Sequence, residues 1–132
     1  MTERNSPEVV AGVAECFTAY EHALATGDLD EMAAAFEDSP EVVRYGIADR
    51  QRGSEELAAF RKRQGRLPPG RTLSETTITT FGSDAAIVAT LFTYPGRPVI
   101  GRQSQTWIRI DGAWKIVHAH VSEVPASLGD RT

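Results

Sequence analysis

The stretch GRQSQTWIRIDGAWKIVHAHVSEV, Gly101 to Val124, decides the fold. Two runs of β-branched and aromatic residues flank Asp111-Gly112, a dipeptide suited to a two-residue type I′ turn because both positions need positive φ. Closed this way, the turn sets Ile110 opposite Ala113, and the pairing follows outward: Trp107 with Ile116, Gln105 with His118, Gln103 with His120. Those residues share one face with Trp114. Large aromatic walls with a few convergent amides and imidazoles are the usual lining of a small-molecule pocket, so this face is expected beneath the helices. The opposite face carries Ile110, Ile108, Thr106 and Ser104 beside Val117, Ala119 and Val121, and suits packing against a second sheet or subunit. A β-bulge in either strand would exchange the two faces beyond it.

Working outward, TLSETTITTF (72–81) and AAIVATLFTY (85–94) add two more strands, joined by Gly82-Ser83-Asp84 and Pro95-Gly96, and complete a four-stranded meander. The first half is helical. Ser6-Pro7-Glu8 marks a start, with Ser6 as N-cap, and Val10, Val13, Phe17, Tyr20 and Leu24 recur at three and four to about Ala25, which carries the Tyr20 hydroxyl inward. Gly27 ends this helix, and Asp28 with Glu31 forms a capping box for a second one striped by Leu29, Met32, Ala33 and Phe36. Val42–Gly46 and Arg50–Arg52 predict a short hairpin. Ser54 caps a third helix, with Leu57, Ala58 and Phe60 as its apolar side, ending near Gly65 before the rigid loop Leu67–Gly70. Three helices on one face of a curved antiparallel sheet make an α+β plan. The 132 residues form one domain, with its core at about 7–125 and a flexible tail at 126–132.

A net charge of −4 does not provide the positive field that a nucleic-acid surface requires. The local basic cluster of Arg61, Lys62, Arg63, Arg66 and Arg71 reads as a solvated helix end and loop. Cys16 is the only cysteine, so no internal disulfide or cysteine zinc site forms, and the chain suits a reducing compartment. No apolar run approaches the roughly 18 residues of a membrane span, and MTERNSPE lacks the pattern of a signal peptide. A cytoplasmic protein with no membrane and no nucleic-acid partner is expected.

Arg44, in SPEVVRYG, places a permanent charge within an apolar strand. An unpaired buried guanidinium is costly, so either a carboxylate of the chain (Glu21, Glu37 or Asp38) or the carboxylate of a ligand must meet it. Tyr20 is either a core residue or a hydrogen-bond donor and weak acid at the pocket floor. His118 and His120 form a His-x-His pair, which suits pocket hydrogen bonding, satisfied core histidines or a metal. No third metal ligand adjoins them, and Glu123 falls on the other face in the simple register. No metal and no cofactor are expected. Ser104 and Ser122 lack a His-Asp arrangement that would make either a nucleophile.

The layout, ending in GAWKIVHAHVS, resembles the SnoaL-like and nuclear-transport-factor-2-like superfamily, a cone-shaped cystatin-like fold. The combination of FTAYEHAL, SPEVVRYG, ELAAFRKR, GRQSQTWIR and HAHVS is similar to the AtzH-like family, small proteins associated with amidases in the breakdown of urea derivatives. The resemblance implies cofactor-free decarboxylating amidohydrolase chemistry on an N-carboxylated urea such as 1,3-dicarboxyurea, with Tyr20 and Arg44 matching the residues tied to activity. Gln103, Gln105, Trp107, His118 and His120 are then the expected substrate-binding residues. A homodimer packed through the apolar sheet face is expected, and a partner amidase is a further expectation. The alternatives are a non-catalytic ligand-binding or accessory subunit of an amidase, and an isomerase or hydrolase of polyketide- or steroid-like substrates, for which no inward carboxylate base is evident.

Overall fold

The computed structural model describes residues 2–128. The elements run α1 (Pro7–Thr26), α2 (Leu29–Ala35), β1 (Val43–Tyr45), β2 (Arg50–Arg52), α3 (Ser54–Gln64), β3 (Thr72–Phe81), β4 (Ala85–Thr93), β5 (Val99–Ile110) and β6 (Ala113–Pro125). They form an α+β fold with one six-stranded sheet, ordered β2-β1-β6-β5-β4-β3. The sheet is mixed rather than wholly antiparallel, because β1 runs parallel to β6. Helices, not a tight turn, lead into β1 and separate it from the meander, and only tight turns oblige neighbouring strands to run antiparallel.

Pro7 opens α1, where an N–H has no helical partner, and Gly27 closes it in the left-handed region. Ser6 holds the cap position without a side-chain bond, contrary to expectation. The Asp28 side chain does accept from the Glu31 N–H and starts α2. Residues Val13, Phe17, Tyr20, Ala23 and Leu24 of α1 face the sheet. They meet Met32, Phe36, Val42, Leu57, Val88, Trp107 and Ile116 in a single core, where each large apolar side chain contributes about 1.5–3 kcal/mol.

Asp111 (φ 50°) and Gly112 (φ 80°) close the β5–β6 turn in the expected way, setting Ile110 opposite Ala113 and Trp107 opposite Ile116. A bulge then intervenes. Thr106 pairs with His118, Gln105 with Ala119, Ser104 with His120 and Gln103 with Val121, and Val117 is left without a partner. The pairings expected for Gln105 and Gln103 with the two histidines are therefore incorrect. One extra residue in β6 exchanges its faces beyond Ile116 while β5 keeps its own. Gln103, Gln105 and Trp107 stay buried on the helix side, joined by Ala119, Val121 and Glu123. His118 and His120 turn to the outer face, where both rings meet Tyr45 edge-on. That outer face consequently lacks Ala119 and Val121 from its expected apolar set.

Ala126–Leu128 forms a short 3-10 turn, with the Ala126 N–H donating to Pro98. This part of the expected tail is built onto the sheet, and the rest lies outside the described residues. Among the described residues no helix is long and apolar enough to cross a membrane.

Candidate functional site

The site begins with the β1–β2 hairpin. Val42 and Arg44 project inward and Tyr45 projects outward, so alternation alone delivers the Arg44 guanidinium beneath the helices. It sits between Gln51 of β2 and Ala119 of β6, and 7% of the residue is exposed. Its Nη1 donates to Asp49 Oδ1 at 2.8 Å and to Gln51 Oε1 at 2.9 Å. Gln51 Nε2 donates to the same Asp49 oxygen at 2.9 Å, which closes a triangle. The Phe60 ring of α3 lies 5.2 Å from the guanidinium carbon, within cation–π reach.

Asp49, rather than Glu21, Glu37 or Asp38, is thus the carboxylate partner. Gly46 makes this possible: a Cβ there would run into the Asp49 carboxylate, and the Gly46 N–H donates to the Asp49 carbonyl at 2.8 Å. Burial, and next the like charge of Arg61, pull the Arg44 guanidinium below its ordinary value, against Tyr20 and Asp49, which raise it.

Tyr20 is 4% exposed. Its hydroxyl oxygen accepts from Arg61 Nη2 at 2.6 Å, and Phe36 packs edge-on against its ring. With the oxygen engaged as acceptor, the hydroxyl hydrogen is the part left for a ligand. Arg61 was expected in solvent, yet it is as buried as Arg44. The reason is helical spacing, since Leu57 and Arg61 lie four apart and share the inward side of α3.

Arg71 also departs from the expected solvated cluster. Its Nε donates to Glu21 Oε1 at 2.9 Å and its Nη2 to Gln103 Oε1 at 3.0 Å, and its guanidinium stacks 4.1 Å from the Phe92 ring centre. Gln103 Nε2 returns a bond to Glu21 Oε2 at 3.0 Å. Burial acts to lower the Arg71 guanidinium. The hydrogen bond and charge of Glu21, with Tyr94, outweigh it and hold the group above its ordinary value. At the rim, Arg97 donates to Glu123 at 3.2 Å. Glu123 faces inward only because of the bulge.

These groups surround a cavity of about 110 Å³ lined by Tyr20, Arg44, Arg61, Arg71, Gln103 and Gln105, among others. Of the expected site residues, Tyr20, Arg44, Gln103 and Gln105 meet here. Trp107 lies fully buried in the core and donates from Nε1 to Gln105 Oε1 at 3.0 Å, which orients that amide without lining the cavity. His118 and His120 are on the far side of the sheet. No group of three or more potential metal ligands gathers among the described residues. A second cavity of about 130 Å³ lies between α2 and α3. It shares Arg61 with the first; Met32, Phe36, Leu57 and Ala58 give it an apolar wall, with Asp30, Ser54 and Lys62 also in its lining, and none of the expected site residues reaches it.

The sequence reading missed Asp49, Gln51, Arg61 and Arg71. Arg61 carried a signal, its spacing from Leu57, and Gln51 carried one in its alternation between Arg50 and Arg52. Asp49 and Arg71 come from a turn and a loop end, where no periodicity points inward.

The profile of the AtzH-like family matches residues 2–127. Among solved structures, a cystatin-like fold protein from Burkholderia xenovorans is 46% identical, with 95% of this chain and 98% of that one covered, at a TM-score of 0.92. A protein of unknown function from Pectobacterium atrosepticum is 40% identical over 92% and 94% of the two chains, with a TM-score of 0.89. An NTF2-like protein of unknown function from Pseudomonas putida, at 16% identity, 89% and 87% coverage and a TM-score of 0.76, shares the fold. No curated protein matches this chain.

Proposed function

The chain belongs to the AtzH-like family, and on that footing we propose that its arginine-lined cavity binds a small carboxylate carried by a urea and that the protein is a decarboxylating amidohydrolase. The substrate class is an N-carboxylated urea such as 1,3-dicarboxyurea, and the product is allophanate. The observation that carries this reading is the convergence of Arg44 and the Tyr20–Arg61 pair on one cavity. Guanidinium groups seat a carboxylate by paired N–H bonds, and the cavity encloses a proton donor beside them.

The reaction breaks the bond between the urea nitrogen and its carboxylate carbon. Carbon dioxide leaves, the bonding pair stays on nitrogen, and nitrogen takes a proton. Tyr20 supplies that proton from its hydroxyl, and water restores it after carbon dioxide has gone. Arg61, already donating to the Tyr20 oxygen, faces the negative charge that forms there. Gln103 and Gln105 present amide groups to the alternating donors and acceptors of a planar urea. Each has one side-chain oxygen fixed, by Arg71 and Trp107 respectively, so the orientation of both amides is set before a ligand arrives.

The test is release of carbon dioxide from 1,3-dicarboxyurea by wild type, Tyr20→Phe and Arg44→Ala. Turnover by wild type that falls at least about 100-fold in both variants supports the reading. An Arg44→Ala protein as active as wild type overturns the scheme. Ligand-induced stabilisation without any turnover favours instead a binding or accessory role for the same cavity.

A further inference from the structure

Three of the four guanidinium groups that line the cavity have a carboxylate partner: Arg44 with Asp49, Arg71 with Glu21 and Arg97 with Glu123. Arg61 has none among the described residues. Its Nη2 donates to Tyr20, its Nη1 reaches Gln64 Oε1 at 3.3 Å, and its buried Nε makes no hydrogen bond. Four cations against three carboxylates leave one positive charge in the cavity, and it resides on a side chain that is 7% exposed. A buried charge left this way is costly to the folded protein unless a ligand answers it. Arg44 faces the same space. Both its hydrogen bonds leave from Nη1, so its Nη2 and Nε have no partner among the described residues.

We propose that Arg61 and Arg44 together form a seat for a single ligand carboxylate, and that Arg61 supplies the charge that balances it. This inference deepens the proposed function and rests on it. A substrate with two carboxylates would find a counter-charge for only one. The seated group is the one retained in the product. The other lies in the cavity without a cation of its own; when it departs as neutral carbon dioxide its negative charge stays on nitrogen, and the proton that nitrogen takes, restored to Tyr20 from water, returns the cavity to charge balance.

Calorimetric titration with two stable probes tests this: N-carbamoylglycine, a urea bearing one carboxylate, and N-carbamoylglycinamide, its neutral counterpart. Wild type is expected to bind the acid more tightly than the amide. Arg61→Gln is expected to weaken acid binding about 10- to 100-fold, the worth of a charge-assisted bond, with amide binding unchanged. Arg61→Lys keeps the charge and is expected to retain part of the preference. An Arg61→Gln protein that binds the acid as tightly as wild type overturns the role of Arg61 and leaves the carboxylate reading standing. Wild type that binds neither probe overturns both. The melting temperature of the ligand-free Arg61→Gln protein is a second readout. It is expected to fall by no more than that of Tyr20→Phe, because the unanswered charge is removed together with the bond to Tyr20, and a larger fall would show Arg61 to be a structural element and overturn the proposal.

Discussion

The hydroxyl oxygen of Tyr20 accepts a 2.6 Å hydrogen bond from Arg61, which joins the second half of α1 to the last turn of α3 in the lining of the cavity. Removing that oxygen acts on two levels. In Tyr20→Phe, Arg61 loses its shortest bond while staying buried, so stability is expected to fall by about 1–3 kcal/mol in urea denaturation. The loss of turnover expected of the same variant is larger than this destabilisation explains, provided it is measured well below the melting temperature.

Asp49 neutralises Arg44, and the two effects of removing it point in opposite directions. Asp49→Asn leaves Arg44 with an amide oxygen and the like charge of Arg61, which should lower ligand-free stability by about 1–3 kcal/mol. The cavity gains a net positive charge, so a small carboxylate should raise the melting temperature of the variant by more than it raises that of wild type. A carboxylate-induced shift smaller than in wild type would contradict this.

Glu21 accepts from both Arg71 and Gln103. Replacing it with Gln leaves the Arg71 cation buried without a carboxylate, for which a loss of about 3–5 kcal/mol is expected. Guanidinium chloride unfolding of Glu21→Gln beside wild type checks the value, and a loss under 1 kcal/mol would show that the stacking of Arg71 on Phe92 is sufficient.

The bulge makes a prediction of its own. His118→Ala and His120→Ala should cost at most about 1 kcal/mol each, through lost edge contacts with Tyr45, and should leave carboxylate affinity unchanged. Gln105→Ala should do the reverse, weakening the ligand and leaving the Trp107 N–H without its acceptor. Titration of the three variants with one carboxylate probe separates the two faces.

Cys16 is the one thiol. Burial, then the nearby charge of Glu15, raises its pKa, with Lys115 acting the other way. A raised value means less thiolate at a given pH. Alkylation by iodoacetamide at pH 8 is therefore expected to be slower in the folded protein than in urea, and the folded rate should rise with pH to a midpoint above that of an ordinary thiol.

Local rules made much of this fold legible. The Asp111-Gly112 turn, the three- and four-residue spacing in α1 and the strand alternation at Val42–Tyr45 each act within a few residues; the first two gave the right element and face, and the third gave the strand while leaving its inward face open. The exception was Val117. A bulge leaves no mark in composition, so a register counted from the turn was correct to Ile116 and wrong beyond it, which misplaced both histidines and hid Glu123. The charged half of the site was hidden differently. Asp49 reaches Arg44 through the turn after Gly46, and Arg71 reaches the cavity from the loop before β3, where its placement depends on Glu21 and Gln103, contacts far apart in sequence.

Beyond the histidines, the bulge divides β6 into two numbering frames. Inward residues are even-numbered up to Ile116 and odd-numbered from Ala119 onward. Val117 is the residue at the junction, so a chain lacking it would pair Ile116 and His118 with consecutive residues of β5 and keep every cavity side chain where it is. Length can therefore vary by one at this point of the strand without turning the arginine-lined interior inside out.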